Sequence, residues 1–409
     1  MIPHQRSKRS WEIDALRGLM LVLMTLTHLP TRLTDPMGQP FGFVSAAEGF
    51  VLLSAYMAGL VYSRVAYRQG VEAMERAFWK RVFKVYAAQA AILLFLFTVI
   101  TAVGLRIDHG AVRNLVSYYL AQPQEGFIYG MLLLYEPALL DILPMYIFFM
   151  LLSPWVLAWG MRHGWTGVMV ASAALWAASQ FGASEWLYAQ AVRYLHFPLP
   201  YGEMGSFNAL AWQLLWFAGL WMGASRSAPG AQPFRFPPWL LAAACALALW
   251  GLVWRHYGIN GQAPFGGDEA RNMLFDKWRL GPLRIVNLLA LGVVVIRFGP
   301  ALLVGLGISA VASLFYVIAW EISLAWRSGF DFLEFYTKYL VDGARARGAT
   351  EAEVQQAIQE AKSFAKLHAN PLFRMPITFI EIFPVGVLIS LISAAVLRNS
   401  RVLPARAMN

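Results

Sequence analysis

Residues 11–30 read WEIDALRGLMLVLMTLTHLP and decide the fold that we predict for the chain. The stretch is apolar and long enough to cross a lipid bilayer as one helix. It nevertheless carries Asp14, Arg17 and His28, and ionisable groups within a membrane are costly and mark functional sites by default. Arg17 and His28 are eleven residues apart, so they share one helix face and lie roughly 16 Å apart along the axis. This face predicts a cation near one membrane surface and a proton-transfer group near the other.

The composition excludes an ordinary soluble domain. Of the 409 residues, 58% are hydrophobic and 14% are charged, and the mean hydropathy is +0.52. We therefore predict an all-α, polytopic membrane bundle of about ten transmembrane helices. The formal net charge of +10 is explained by Lys and Arg retained on cytoplasmic loops, so no nucleic-acid partner is predicted.

Apolar runs separated by turn residues or charges give the predicted spans, which are 11–30, 43–63, 82–105, 140–159, 164–181, 208–224, 238–257, 283–298, 300–325 and 376–397. The first tail and the short segment 64–84 are basic, and smaller basic turns recur on the same side. The positive-inside rule then predicts that both termini lie in the cytoplasm.

The composition changes after about residue 326. Residues 326–372 are charged and rich in helix formers, and we predict a small extramembrane helical excursion on the outer face. Thr350 and Glu353 have the spacing of a capping box, which predicts a helix as far as Lys366. A solvated linker hairpin and a binding module are both open interpretations of this segment.

His28 is the first candidate catalytic residue, with Glu48 as its partner. Span two returns from the side on which span one ends, so Glu48 is expected at a similar depth. A carboxylate beside an imidazole raises its pKa and fixes its tautomer, which suits a general base that takes a proton from a hydroxyl. The alternative is a buried His–Glu pair that only locks two helices together.

Arg17 is the second candidate, and Arg81 and Lys84 the third. An arginine near the inner surface can engage the polyanionic end of a cytoplasmic donor, and Arg81 and Lys84 lie on one helix face and both suit phosphate. The alternatives are an ion pair between Arg17 and Asp14 on the helix surface, and a simple positive-inside role for Arg81 and Lys84.

The sequence has no phosphate-binding glycine loop, no zinc-type spacing and no nucleophile elbow. Its one cysteine, Cys245, allows neither an intrachain disulfide nor a cysteine-based metal site. We therefore predict no metal and no permanently bound cofactor.

The first helix resembles that of a known family. Arg17 and His28 match the Arg-x10-His of the acyltransferase-3 superfamily, and Arg81-x-x-Lys84 stands where that superfamily has Arg-x-x-Arg. Within it, the chain is most similar to the OpgC type, the membrane enzymes that succinylate osmoregulated periplasmic glucans. Four further blocks carry this resemblance, AAEGFV at 46–51, DILPMY at 141–146, FNALAWQLL at 207–215 and DKWRLGPLR at 276–284.

The resemblance covers residues 10–297 and implies an acyltransferase-like transmembrane domain over 1–298. It implies a cytoplasmic acyl-CoA donor, a periplasmic glycan acceptor and a bacterial inner-membrane location. His28 would be the general base, with Glu48 and Arg17 as further catalytic residues. Arg17, Arg81 and Lys84 would hold the donor.

Residues 299–409 resemble a different family, the DUF4199-type membrane proteins of unknown function. We predict here a transmembrane hairpin with the charged insert. The chain is accordingly interpreted as an O-acyltransferase that moves an acyl group, such as succinyl, onto a glycan hydroxyl. The alternative is a non-catalytic transport or assembly protein on a relic acyltransferase scaffold, and the oligomeric state is open.

Overall fold

The structure is a computed structural model that describes residues 11–28, 38–107, 110–232, 234–257, 265–326, 337–338, 341–342, 345, 350–368 and 370–396. Within these ranges all regular secondary structure is helical, which confirms the predicted all-α fold class. Of the predicted excursion at 326–372, residues 327–336, 339–340, 343–344, 346–349 and 369 lie outside the described residues.

The first half of the chain contains α1 (Trp11–His28), α2 (Ala46–Gln69), α3 (Val71–Arg106), α4 (Gly110–Leu115), α5 (Ser117–Ala121), α6 (Pro123–Met131), α7 (Ile142–His163), α8 (Thr166–Gln180) and α9 (Ala183–Leu195). The second half contains α10 (Ala209–Ser227), α11 (Pro238–Tyr257), α12 (Glu269–Asn272), α13 (Pro282–Trp326), α14 (Glu351–His368) and α15 (Pro371–Val396). A π-helical turn, Leu96–Ile100, interrupts α3, and short 3₁₀ turns occupy Tyr201–Glu203 and Met273–Phe275.

Five of the described helical segments are long and apolar enough to cross a membrane, namely α2, α3, α7, α11 and the Pro282–Gly299 part of α13. The chain is therefore a multi-pass membrane protein. The count of ten spans is not confirmed, because the predicted spans 283–298 and 300–325 lie on the single helix α13. The helix predicted from Thr350 to Lys366 is present as α14.

By its contacts the chain divides into two compact units, residues 1–294 and 295–409. The core of the first unit lies between α2, α7 and α10, where Trp212, Trp216 and Leu220 are fully buried. A polar contact also fastens α8 to α10, because Ser172 donates a hydrogen bond to the Gln213 side chain over 2.6 Å and its carbonyl accepts one back over 2.8 Å.

Glycines allow α2 and α10 to pack with their backbones in contact. A Cβ atom added at Gly219 would lie 2.7 Å from the Leu52 carbonyl oxygen, and one at Gly223 would lie 2.6 Å from the Leu60 nitrogen. On the facing helix, a Cβ at Gly59 would overlap the Leu220 carbonyl. Small residues spaced by four are typical of close helix packing in membranes.

The segment between α6 and α7 contains a partly buried acid, Glu136. Its backbone N–H donates to the Glu203 carbonyl over 2.9 Å, and its carboxyl group occupies the place that a Cβ at Gly205 would take. Gly205 has φ +83°, so glycine is required there for space as well as for backbone conformation. Burial, and secondarily the charge of Asp141, raises the pKa of Glu136 to about 9.

In the second unit an ion pair joins α13 to α15. Arg374 Nε donates to Glu321 Oε1 over 2.7 Å, and a second bond joins the other guanidinium nitrogen to the other carboxylate oxygen. Twelve residues away along each helix, the Ser309 hydroxyl donates to the Gly386 carbonyl over 2.9 Å.

We predict that Gly223→Ala destabilises the first unit. Overpacking of this kind costs about 1–3 kcal/mol, because neither backbone can move away without disturbing the core. The measurement is thermal unfolding of the purified protein in detergent. The matched control is Gly167→Ala on α8, where an added Cβ meets no atom within 4 Å and helix propensity alone predicts a gain of up to about 1 kcal/mol. Equal effects of the two substitutions would contradict this packing.

We predict that stability falls as the pH rises because of Glu136. Its folded pKa of about 9 exceeds the ordinary value of 4.5, so this group's contribution is complete below pH 4.5 and is lost as the pH rises through 9. The slope is at most about −1.4 kcal/mol per pH unit. Unfolding between pH 6 and 9 should show this slope in the unaltered protein and in Glu72→Gln, whose carboxylate is 90% exposed. Glu136→Gln should flatten it, and an unchanged slope in that variant would refute the assignment.

Candidate functional site

The residue at the C-terminal end of α1, His28, faces a cavity of about 300 Å³. The polar side chains around this cavity come from five separate parts of the chain, and besides His28 they include Ser45, Asp141, Ser206 and Lys277. Phe207 and Trp278 contribute aromatic walls. The fold therefore surrounds an exposed imidazole with a hydroxyl, a carboxylate and an ammonium group. We call this space the His28 cavity.

Backbone hydrogen bonds hold the loop that brings Lys277 to the cavity. The Trp278 carbonyl accepts from the Asn208 N–H over 3.0 Å and from the Trp212 indole over 3.1 Å. The Trp176 indole donates to the Leu280 carbonyl over 2.9 Å. Because buried carbonyl groups in a loop need such donors, tryptophans on α8 and α10 position this loop.

Lys277 is a cation in a partly dehydrated place. Its ammonium nitrogen lies 4.7 Å from the centroid of the Trp278 ring. Burial lowers the pKa of Lys277, with Arg284 adding to this effect and the carboxylates of Glu48 and Asp141 opposing it. A cation of this kind can stabilise negative charge that develops in the cavity, since it is poorly screened by water.

Glu48 is fully buried and is bonded to groups other than His28. Its Oε1 accepts from Arg284 Nη1 over 2.6 Å. Its Oε2 accepts from the Ser45 N–H over 3.0 Å and from the Ser45 hydroxyl. Ser45 and Glu48 form the capping box at the start of α2. Glu48 therefore reaches the cavity through Ser45, and among the described residues no hydrogen bond joins it to His28.

Arg17 lies on α1 at the spacing from His28 that the sequence predicts. Its guanidinium is 3.9 Å from Asp14 at the closest N–O approach, so the predicted ion pair is formed. Arg17 also stands 5.9 Å from the centroid of the Phe50 ring, and its buried Nε has no hydrogen-bond partner in the described part of the chain. A buried, unsatisfied donor of an arginine is unusual and leaves one N–H available for a ligand.

Arg81 joins Arg17 around the hydroxyl of Tyr146. Arg81 and Arg17 both lie close enough to that hydroxyl to interact with it electrostatically. Lys84 is exposed one turn further along α3, and no described contact connects it to this group. The structure thus brings together Arg17, Arg81 and Tyr146. We call these three residues the Arg17 cluster.

A larger cavity of about 820 Å³ adjoins the His28 cavity. The two share Ser206, Phe207 and Trp278 as lining residues. Tyr188, Tyr201 and Asn208 are among the residues that line only the larger one, which we call the aromatic cavity. Within the described parts of the chain no three His, Cys, Asp or Glu side chains come together as metal ligands.

Sequence reasoning missed Ser45, Asp141 and Lys277 as neighbours of His28. Two of them stand in the blocks DILPMY and DKWRLGPLR, which were quoted only as resemblances. The signal that was available for Ser45 is its spacing from Glu48, since Ser-x-x-Glu before an apolar run is a capping box.

The chain matches two families. The family described as OpgC protein matches residues 9–322, beyond the end of the resemblance at 297. A protein family of unknown function, DUF4199, matches residues 291–399, which makes the last third of the chain similar to that family. No curated protein and no solved structure matches the chain significantly.

The first match covers more than half of the chain and includes α1, the Arg17 cluster and both cavities. The protein therefore belongs to the OpgC family.

Proposed function

We propose that this protein is an integral membrane O-acyltransferase. It moves an acyl group, such as succinyl, from a cytoplasmic acyl-CoA to a hydroxyl group of a periplasmic glycan. The observation that carries the proposal is the placement of an exposed imidazole, His28, in a polar cavity on the same helix as an arginine with a free buried donor. Membership of the OpgC family supports the reaction type.

His28 is the general base in this reaction. It accepts the proton of the acceptor hydroxyl while the hydroxyl oxygen attacks the carbonyl carbon of the thioester. The carbonyl becomes an oxyanion, and the C–S bond then breaks to leave the ester and the thiolate of coenzyme A. The thiolate recovers the proton held by His28. Neutral imidazole suits this task because its ordinary pKa lies close to neutral pH.

Lys277 and Glu48 assist His28 in different ways, Lys277 through its charge and Glu48 by positioning Ser45. Lys277 lines the His28 cavity and supplies the positive charge that stabilises the oxyanion. Glu48 acts through Ser45, because its carboxylate holds the Ser45 hydroxyl and backbone in place. The role of Glu48 is thus to position the cavity wall rather than to touch the reacting atoms.

The Arg17 cluster binds the phosphates of the donor. Arg17 and Arg81 present guanidinium groups near one hydroxyl, and planar guanidinium pairs suit phosphate oxygens. Lys84 contributes a further exposed charge. The donor then extends along α1, with its phosphates at Arg17 and its thioester at His28, roughly 16 Å away by helix rise.

This arrangement requires that the Arg17 cluster faces the cytoplasm and the His28 cavity faces the periplasm. Basic short loops support both termini in the cytoplasm of an inner-membrane protein. A cytoplasmic C-terminus needs an even number of crossings. The placement of Arg17 and His28 depends only on a cytoplasmic N-terminus, so it is unaffected by the union of two predicted spans in α13. Reporter fusions after residues 70 and 164 measure the orientation directly, and the proposal requires a cytoplasmic reporter at both places.

The second candidate is a non-catalytic membrane transport or assembly protein. It is favoured by the match of residues 291–399 to a family of unknown function. Purified protein that binds an acyl-CoA in a manner dependent on Arg17 would exclude this candidate.

We predict that His28→Gln abolishes acyl transfer, with a loss of about 10²–10⁴-fold, the usual contribution of general acid–base catalysis. The measurement is mass spectrometry of glycans from cells that carry the variant, together with its amount in the membrane. The matched control is His163→Gln, an exposed histidine at the end of α7 that stacks on Trp159. Full acylation by the His28 variant would remove the catalytic assignment.

We predict that Arg17→Ala and Arg81→Ala each raise the KM for acyl-CoA by about tenfold or more. The reason is that hydrogen bonds to charged groups contribute about 1.5–3 kcal/mol. Lys84→Ala should change it less, because an isolated exposed charge contributes about 1 kcal/mol at most. The control is Arg76→Ala on the same helix, where the arginine pairs with Glu72 in solvent. If Arg76→Ala raised the KM for acyl-CoA as much as Arg81→Ala, the change would reflect overall charge and the phosphate site would be refuted.

A further inference from the structure

The aromatic cavity combines flat ring faces with hydrogen-bonding groups that are not fully used. Tyr188 and Tyr201 lie with ring centroids 5.1 Å apart, and Trp278 completes the wall with 43% of its surface exposed. The volume of the aromatic cavity, about 820 Å³, is within the range of small-molecule sites, about 300–1,000 Å³. Rings of this kind accept the C–H face of a sugar by stacking.

The polar groups of the cavity include donors as well as acceptors. Asn208 accepts hydrogen bonds at its side-chain oxygen from Ser184 and the Ala211 N–H, while its amide nitrogen donates to no described group. Asp276 accepts one bond, from the Arg279 N–H, through a single carboxylate oxygen. A polyol needs both kinds of group, because each of its hydroxyls donates and accepts.

The charges of the cavity select against an anionic ligand. Arg279 is the cation of the wall, and it is paired with Glu185 over 2.6 Å. Asp276 adds a further carboxylate, and Asp141 lies close behind Gly205. A neutral ligand is therefore favoured over a carboxylated or phosphorylated one.

The aromatic cavity and the His28 cavity, where the proposed reaction takes place, share part of their lining. Ser206, Phe207 and Trp278 line both cavities. A sugar ring stacked on Trp278 would present a hydroxyl toward the cavity that contains His28. No lipid or peptide is required to explain the lining, since the ring faces and the mixed donors and acceptors already match a saccharide.

We propose that the aromatic cavity is the acceptor site and that it binds an uncharged saccharide segment of the glycan. This inference rests on the proposed acyl transfer and adds the place where the acceptor binds and the absence of charge on the segment bound there. Tyr201 is the residue of choice for a test, because it lines only the aromatic cavity and its hydroxyl forms no hydrogen bond among the described residues.

The test measures binding of neutral glucose tetrasaccharides with different linkages (α-1,4, β-1,2, β-1,3 and β-1,4) to the full-length protein in nanodiscs, without any acyl donor. Saturation-transfer NMR or calorimetry gives the affinity. We expect at least one tetrasaccharide to bind, Tyr201→Ala to weaken it tenfold or more, and Tyr201→Phe to weaken it less than threefold. Tyr194→Ala is the matched control, since Tyr194 is 66% exposed on α9 and does not line the cavity.

Absence of binding by all four tetrasaccharides would overturn the inference, and so would equal affinities of the Tyr201→Ala and Tyr194→Ala variants. His28→Gln separates this result from the proposed function, because it should lose transfer and keep saccharide binding. Transfer that persists in His28→Gln refutes the proposed catalysis alone. An acceptor KM for transfer that is unchanged in Tyr201→Ala refutes the acceptor site alone.

Discussion

The first unit depends on one buried ion pair, between Glu48 and Arg284. Glu48 is fully buried and Arg284 is 2% exposed, so the two charges have lost almost all of their water. Such a pair is retained only where further hydrogen bonds satisfy its remaining atoms. Ser45 does so for the carboxylate, and the Phe275 carbonyl does so for Arg284 Nε over 3.1 Å. The pair thereby joins the start of α2, the start of α13 and the loop that carries Lys277. The start of α2 and this loop both line the His28 cavity.

Local pattern was enough to predict most of the helices and the relation between Arg17 and His28, because both follow from apolar run length and from helical rise within one segment. The continuity of α13 was not predictable in this way. Gly299 and Pro300 are typical turn residues, yet the helix passes through them. The residues that line the cavity with His28 were also not predictable from local pattern. Lys277 is brought to this cavity by tertiary hydrogen bonds from tryptophans of α8 and α10. The partners of Glu48 did not follow from its depth in the predicted span, although Ser45-x-x-Glu48 before an apolar run has the pattern of a capping box.

Opposite charges are segregated within the first unit. Guanidinium groups lie near Tyr146, whereas two carboxylates, of Glu185 and Asp276, outnumber the one cation, Arg279, in the lining of the aromatic cavity. The polyanionic donor and the uncharged acceptor that we propose would therefore be directed to different places by electrostatics. A carboxylated product would meet repulsion where its precursor bound, which favours its release after each transfer.

α1 carries both Arg17 and His28, and this has a mechanical consequence. Two groups on one helix keep a constant separation whatever the neighbouring helices do, because the rod between them is hydrogen-bonded along its length. Rearrangement of α2, α7 or α10 can open or shut a route to either group without altering the distance between them. For the donor that we propose, α1 therefore sets a fixed distance between Arg17 and His28. A thioester whose arm is shorter than this distance cannot contact both residues at once.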